Sequence, residues 1–129
     1  MGQVNHGDLA ESVIRKILHL WKTQKIIYDF VHATKGGQLD YAGIDFVVVL
    51  QEKGPQIFLQ IKSSSRRHIK DSINEHRRLH PLVRLVFVLN KFPKDPLHDE
   101  LFLIKVAAQL RGRINRFIFK EFKGRVPSI

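Results

Sequence analysis

The chain has 129 residues and a net charge of +10, from 22 Lys plus Arg against 12 Asp plus Glu. Hydrophobic residues make up 43% and charged residues 26%, which is the composition of a folded single domain rather than a disordered chain. No apolar run approaches the ~20 residues of a membrane span, and the lack of cysteine excludes a disulfide scaffold, a zinc finger and a thiol nucleophile.

The first predicted element is a helix from about Asp8 to Lys22. Leu9, Val13, Ile14, Ile17, Leu18 and Trp21 recur at helical spacing and form one apolar arc, in which Trp21 reads as core packing. Asp8 after Gly7 reads as an N-cap, with Glu11 three residues on as in a capping box. Glu11 also borders the apolar arc, beside Ile14 and Leu18, so it can instead face a sheet end. Asp8 and Glu11 interrupt residues 1–20, which do not read as a secretory signal. A cytoplasmic location is the simplest expectation.

Ile26 to Val31 reads as a strand, and Ala33 to Gly43 as a loop carrying Gly36, Gly37 and Gly43. Ile44 to Leu50 and Gln56 to Ile61 read as the two strands of a hairpin, joined by Gln51-Glu52-Lys53-Gly54-Pro55. A polar helix, about Arg66 to Leu79, follows and stops near Pro81. Val83 to Leu89 reads as a buried strand. Leu101 to Val106 reads as a further strand with a short helix to about Arg113, although 97–110 also fits one helix. Phe117 to Phe122 alternates like a last strand. The order α-β-β-β-α-β gives an α/β fold with a mixed sheet flanked by helices. The core spans about 8–106, and 107–129 form a basic C-terminal segment of the same single domain.

Residues two apart on a strand share a face. Gln60 and Lys62 therefore point the same way. With the turn near Lys53-Gly54, Asp45 falls opposite Lys62, one step from Gln60. Polar groups among such apolar neighbours cost free energy unless satisfied or used. They form a buried Asp–Lys ion pair or a site. Mg²⁺ takes oxygen ligands, usually one or two carboxylates with waters and substrate phosphate. Asp45, the Gln60 side-chain oxygen and the Ile61 carbonyl supply such oxygens, with Glu11 as a further acid. Lys62 can orient or deprotonate a water, or neutralise a phosphoryl transition state.

Gly43-Ile44-Asp45, fourteen residues, then Gln60-Ile61-Lys62-Ser63-Ser64 resembles the PD-(D/E)xK nuclease superfamily, over roughly residues 8–90. The resemblance extends to Glu11, at the place of that family's upstream helical acid. It implies a restriction-endonuclease-like core and a Mg²⁺-dependent DNA endonuclease, with Mn²⁺ as an alternative cation. Asp45 would hold the metal and Gln60 the second ligand position. Lys62 would be the catalytic lysine and Glu11 the accessory acid. Size and spacing resemble archaeal-type Holliday junction resolvases, and the Gln60-x-Lys62 pattern resembles Mrr-like restriction enzymes. A homodimer fits either kind. Two positions depart from the family pattern: Ile44 replaces the proline before Asp45, and Gln60 replaces an acid. The second departure opens the alternative of a silent nuclease fold that binds DNA without cutting, or that needs a partner.

The charge is clustered. Residues 62–84 hold seven Lys/Arg against two acids and residues 105–125 seven against one, so the remainder is near neutral. In the first cluster Arg66, Arg67, Lys70, Arg77, Arg78 and Arg84 read either as a solvated helix face or as a phosphate-tracking surface for DNA. Ser63, Ser64 and Ser65 read as a helix cap or a phosphate contact rather than as nucleophiles. Arg111, Arg113, Arg116, Lys120, Lys123 and Arg125 form the second cluster, either a further contact or a tail. Asp40 reads as a turn former, and His76 with His80 as a solvated or DNA-facing pair rather than a chelate. No GxxxxGK[ST] element is present.

Overall fold

The computed structural model describes residues 6–63, 66–81 and 83–129, with only the backbone described at 6, 66–69 and 72. Its elements run α1 (His6–Thr23), β1 (Asp29–His32), α2 (Gln38–Tyr41), β2 (Phe46–Val49), β3 (Gln56–Lys62), α3 (Arg66–Leu79), β4 (Leu85–Val88) and α4 (Glu100–Phe122). The sheet order is β1-β2-β3-β4. β1 and β2 pair antiparallel, as do β2 and β3, while β4 lies parallel to β3. A parallel neighbour requires a crossover, and α3 supplies it. The result is an α/β fold with a mixed sheet and flanking helices. Among the described residues no helix is long and apolar enough to cross a membrane.

The apolar arc of α1 does what its spacing predicts. Val13, Ile14, Ile17, Leu18 and Trp21 are all buried, each worth roughly 1.5–3 kcal/mol over an exposed position. They pack with Phe46 and Val48 of β2, with Ile57, Leu59 and Ile61 of β3, and with Leu85 and Phe87 of β4. The opposite face carries a smaller cluster around Ile44, Val47 and Val83, joined by Leu39, Val49 and Phe58. β3 alternates buried and half-buried residues after its exposed first position, so Gln60 and Lys62 share the less buried face.

Four expectations are corrected. Leu101 to Arg113 and Phe117 to Phe122 are not strands and a short helix but one 23-residue helix, α4. Val106, Leu110, Ile114 and Ile118 recur every four residues and bury one stripe of it. The Asp99 carboxylate accepts the Phe102 N–H and caps its start. The segment after 107 thus adds Leu110, Ile114 and Ile118 to the core.

Asp8 is not an N-cap, because α1 begins at His6. It pairs with Lys35 at 3.4 Å instead. The first strand lies at Asp29–His32 rather than Ile26 to Val31. Lastly, the hairpin register differs from the expected one. Phe46 stands opposite Leu59, which sets Asp45 level with Gln60, two positions short of Lys62. The turn closes by Gly54 N–H to the Gln51 carbonyl and Leu50 N–H to the Pro55 carbonyl. Its left-handed residue is Lys53, at φ 56°, so the turn centres one residue earlier than its glycine suggests.

Candidate active site

Asp45 immediately precedes β2, where the hairpin ladder ends. Its backbone N–H bonds to the Leu59 carbonyl at 2.9 Å, and its carbonyl accepts the Ala33 N–H at 2.8 Å. Its carboxylate Oδ2 accepts the Ile61 N–H at 2.8 Å. The backbone around Asp45 is therefore tied to both neighbouring segments. The side chain itself is pinned to β3, next to Gln60 and Lys62.

The approach to Asp45 is fixed by Gly43, at φ 77°. A Cβ there would meet His80 Cγ at 2.4 Å and His76 Cε1 at 2.8 Å. The glycine lets the chain turn under α3 and deliver Ile44 to the buried cluster and Asp45 to the sheet end. α2 precedes this turn. Its Asp40 accepts the Gly36 N–H at 2.9 Å, the turn-forming role expected of it.

Gln60 is half-buried. Its Nε2 donates to the Ile61 carbonyl at 3.3 Å, and its Oε1 is buried with no partner among the described residues. A buried acceptor left without a donor costs about 1–3 kcal/mol. Exchanging the amide's two ends would bring Oε1 beside the Ile61 carbonyl, two oxygens that only a cation or donor would reconcile.

Electrostatics tie the dispersed residues together. Burial above all pushes the Asp45 carboxyl up to about 7. The Glu11 and Asp40 carboxylates push the same way, while the Ile61 N–H and the Lys62 ammonium pull it down. The charges of Glu11 on α1 and Lys62 on β3 thus both act at Asp45, with opposite sign. Glu11 is no capping-box acid. Its Oε1 lies 3.1 Å from His32 Nε2, and the His32 ring stacks on Phe46 with centroids 4.4 Å apart.

His76 is no solvated histidine. It is 7% exposed, its ring 4.7 Å from that of His80, and its Nε2 has no partner among the described residues. Burial pushes its imidazole down to about 4, the Lys62 and His80 charges add to this, and a bond to the Gly43 backbone resists. The sequence held a signal for this burial. His76 stands three residues after Ile73, on the same face of α3. His32 carried a similar one, since it shares the Phe30 face of β1.

The basic residues divide. Lys70, Arg77 and Arg78 are exposed on α3. Arg84 pairs with Glu121 at 2.8 Å, Arg113 donates to the Val86 carbonyl at 3.1 Å, and Arg111 to the Ile129 carbonyl at 2.8 Å. Ser63 is half-buried directly after Lys62. Ser64, Ser65 and the side chains of Arg66 and Arg67 lie outside the described residues. A pocket of about 400 Å³ lined by Phe92, Phe102 and Lys105 lies between α4 and the end of β4. None of the candidate residues lines it.

Among the described residues no three His, Asp or Glu side chains group closely enough to hold a metal. Any cation here would depend on the Asp45 carboxylate together with neutral oxygens. The Gln60 amide, left with an unpartnered oxygen and lying against the Ile61 carbonyl, fits that kind of donor set. No family model, curated protein or solved structure matches the chain.

Proposed function

We propose that the chain is a metal-dependent DNA endonuclease, with Asp45, Gln60, Lys62 and Glu11 as its site in the manner of the PD-(D/E)xK superfamily. The observation that carries this reading is the gathering of Asp45, Gln60, the Ile61 carbonyl and Lys62 at one end of a hairpin. Glu11 on the packed helix lies close enough for its charge to act on Asp45. Asp45, the Gln60 side-chain oxygen and the Ile61 carbonyl would hold Mg²⁺ or Mn²⁺, with Glu11 supplying further negative charge. Such a cation stabilises charge on a phosphoryl oxygen and acidifies water. Asp45 must be ionised to hold it. Lys62, on the Gln60 face of β3, orients the attacking water or offsets the negative charge of the transition state. Lys70, Arg77 and Arg78 hold the DNA backbone, and Ser63 lies beside Lys62 to add a phosphate contact.

The test is a panel of linear, supercoiled, single-stranded and four-way-junction DNA with Mg²⁺, Mn²⁺ or EDTA. Asp45→Ala and Lys62→Ala run alongside. Cation-dependent cutting that disappears in both variants supports the reading. Cutting that survives both overturns the site.

The amide at position 60 favours a second reading, a nuclease-like fold that binds DNA without cutting it. A neutral ligand holds Mg²⁺ more weakly than a carboxylate. Salt-sensitive DNA binding by wild type with no cutting under any cation supports this one.

A further inference from the structure

We infer that His76 and His80 chelate a divalent transition-metal ion of the Zn²⁺, Cu²⁺ or Ni²⁺ class at the end of α3. The pair shares no residue with Asp45, Gln60, Lys62 and Glu11. Residues four apart on a helix stand one above the other on the same face. His80 keeps that spacing although α3 ends at Leu79, because its N–H still bonds to the His76 carbonyl at 2.8 Å. The two ring centres lie 4.7 Å apart and the rings are tilted by 45°. A metal about 2.0–2.1 Å from one nitrogen of each ring stands roughly 3.2 Å from each ring centre. Ligand angles of about 90–110° then set the centres about 4.5–5.3 Å apart. The observed spacing falls inside that range.

Gly43 backs both rings, since His80 Cγ and His76 Cε1 stand 2.4 and 2.8 Å from the place its Cβ would take. His76 is more than nine-tenths buried, and its Nε2 has no partner among the described residues. An orphaned buried polar atom points to a water or an ion as its partner. A coordinate bond to Nε2 supplies one. His80 is half-buried, so its ring is the one that turns to admit the ion. Arg77 and Arg78, exposed beside His76, make the neighbourhood cationic. Mg²⁺ and Ca²⁺ depend on carboxylate and carbonyl oxygens and gain nothing here. Ions that bond to neutral imidazole do gain, with water filling their remaining positions. The unfolded chain does not present two imidazoles at this spacing, so the bound ion stabilises the fold.

Cu²⁺ and Zn²⁺ are added singly to the full chain at about neutral pH. The electron paramagnetic resonance of the bound Cu²⁺ is expected to show splitting by two imidazole nitrogens, and Zn²⁺ is expected to raise the melting temperature. Chelation makes the second bond intramolecular, so His80→Ala is expected to weaken Cu²⁺ about 100-fold and to remove the Zn²⁺ melting shift. His76→Phe keeps a buried ring without its nitrogens and is expected to do the same, and the two changes together to add little to either. Mg²⁺ in large excess is expected to leave the Cu²⁺ in place. Melting in EDTA checks that each variant folds, and His80→Ala, at the half-buried position, carries the test if His76→Phe does not. Undiminished Cu²⁺ binding in His80→Ala, a spectrum with one nitrogen ligand, or displacement by Mg²⁺ overturns the site. A wild-type chain that binds neither ion also overturns it and leaves a buried water as the partner of His76 Nε2.

Discussion

The imidazole of His80 occupies the space that a side chain at Gly43 would need, 2.4 Å from the position of its Cβ. Gly43 also sits at φ 77°, a conformation that costs an L-residue about 1–2 kcal/mol by itself. Gly36 has nearly the same φ, 78°, but open space around it. The pair separates backbone strain from crowding. Gly36→Ala is expected to cost about 1–2 kcal/mol. Gly43→Ala is expected to cost about 2–5 kcal/mol, since overpacking adds its own ~1–3. Urea unfolding of both variants measures the gap. Equal losses would mean that α3 yields freely and does not clamp the approach to Asp45.

Asp45 and His76 are both shifted by burial, with opposite consequences for stability. The Asp45 carboxyl is raised from 3.8 to about 7. Between those values the folded chain holds a proton that the unfolded chain has released, so its contribution to stability falls as pH rises. The His76 imidazole is lowered from 6.5 to about 4. There the unfolded chain holds the extra proton, so its contribution falls as pH drops. Over about pH 4 to 6.5 the two slopes oppose each other, each approaching ~1.4 kcal/mol per pH unit. Asp45→Asn should therefore tilt the profile toward greater stability at higher pH, and His76→Gln toward greater stability at lower pH. Denaturation at four or five pH values per variant reads the slopes. A shared slope in both variants would contradict these protonation states.

The sequence made the strand pair legible because its alternation is strong. β3 buries Ile57, Leu59 and Ile61 in turn, and β2 is apolar throughout. What misled was local chemistry whose usual rule was broken. Gly54 suggested the turn's centre, yet Lys53 takes the left-handed conformation, and this moved Asp45 from Lys62 to Gln60. In α4 the apolar run Phe102-Leu103-Ile104 looked like a strand, while the four-residue stripe through Leu110, Ile114 and Ile118 was spread over a longer window than the run that masked it. The candidate site was readable as a set of residues on a hairpin. The histidines around it carried a weaker signal, a place on a partly apolar face, because the contacts with Gly43 and Phe46 that hold them arise only in the fold.

On the DNA-binding reading, the exposed and the engaged cations should behave differently. Lys70, Arg77 and Arg78 stand exposed on α3, whereas Arg84 and Arg113 are held by Glu121 and the Val86 carbonyl. Every DNA phosphate that a cation neutralises adds about 0.9 to the salt slope of binding. Replacing the three α3 residues by Ala is expected to reduce the slope of log K against log salt by about 2–3. Arg113→Ala is expected to leave it within about 0.5 of wild type on the same scale. Fluorescence anisotropy across 50–300 mM salt, on the order of physiological strength, gives both slopes. An unchanged slope in the triple variant would move the DNA surface elsewhere on the chain.

Gln60→Glu bears most directly on whether the site works. The new carboxylate would stand level with Asp45, whose carboxyl burial and Glu11 already push up. Without a cation, two acids this close resist joint ionisation. The variant should therefore melt below wild type in EDTA at pH 8. With Mg²⁺ the order should reverse, because the same two charges attract the cation. Affinity for Mg²⁺ is expected to rise at least about tenfold, equivalent to ~1.4 kcal/mol. If the amide alone limits the site, cutting appears or increases with the tighter binding. Melting in EDTA and in Mg²⁺, with a cutting assay on the same samples, separates the outcomes. Tighter Mg²⁺ without cutting would support the reading in which the chain binds DNA and does not cleave it. A variant destabilised in both conditions would mean that Gln60 and Asp45 do not face a common cation.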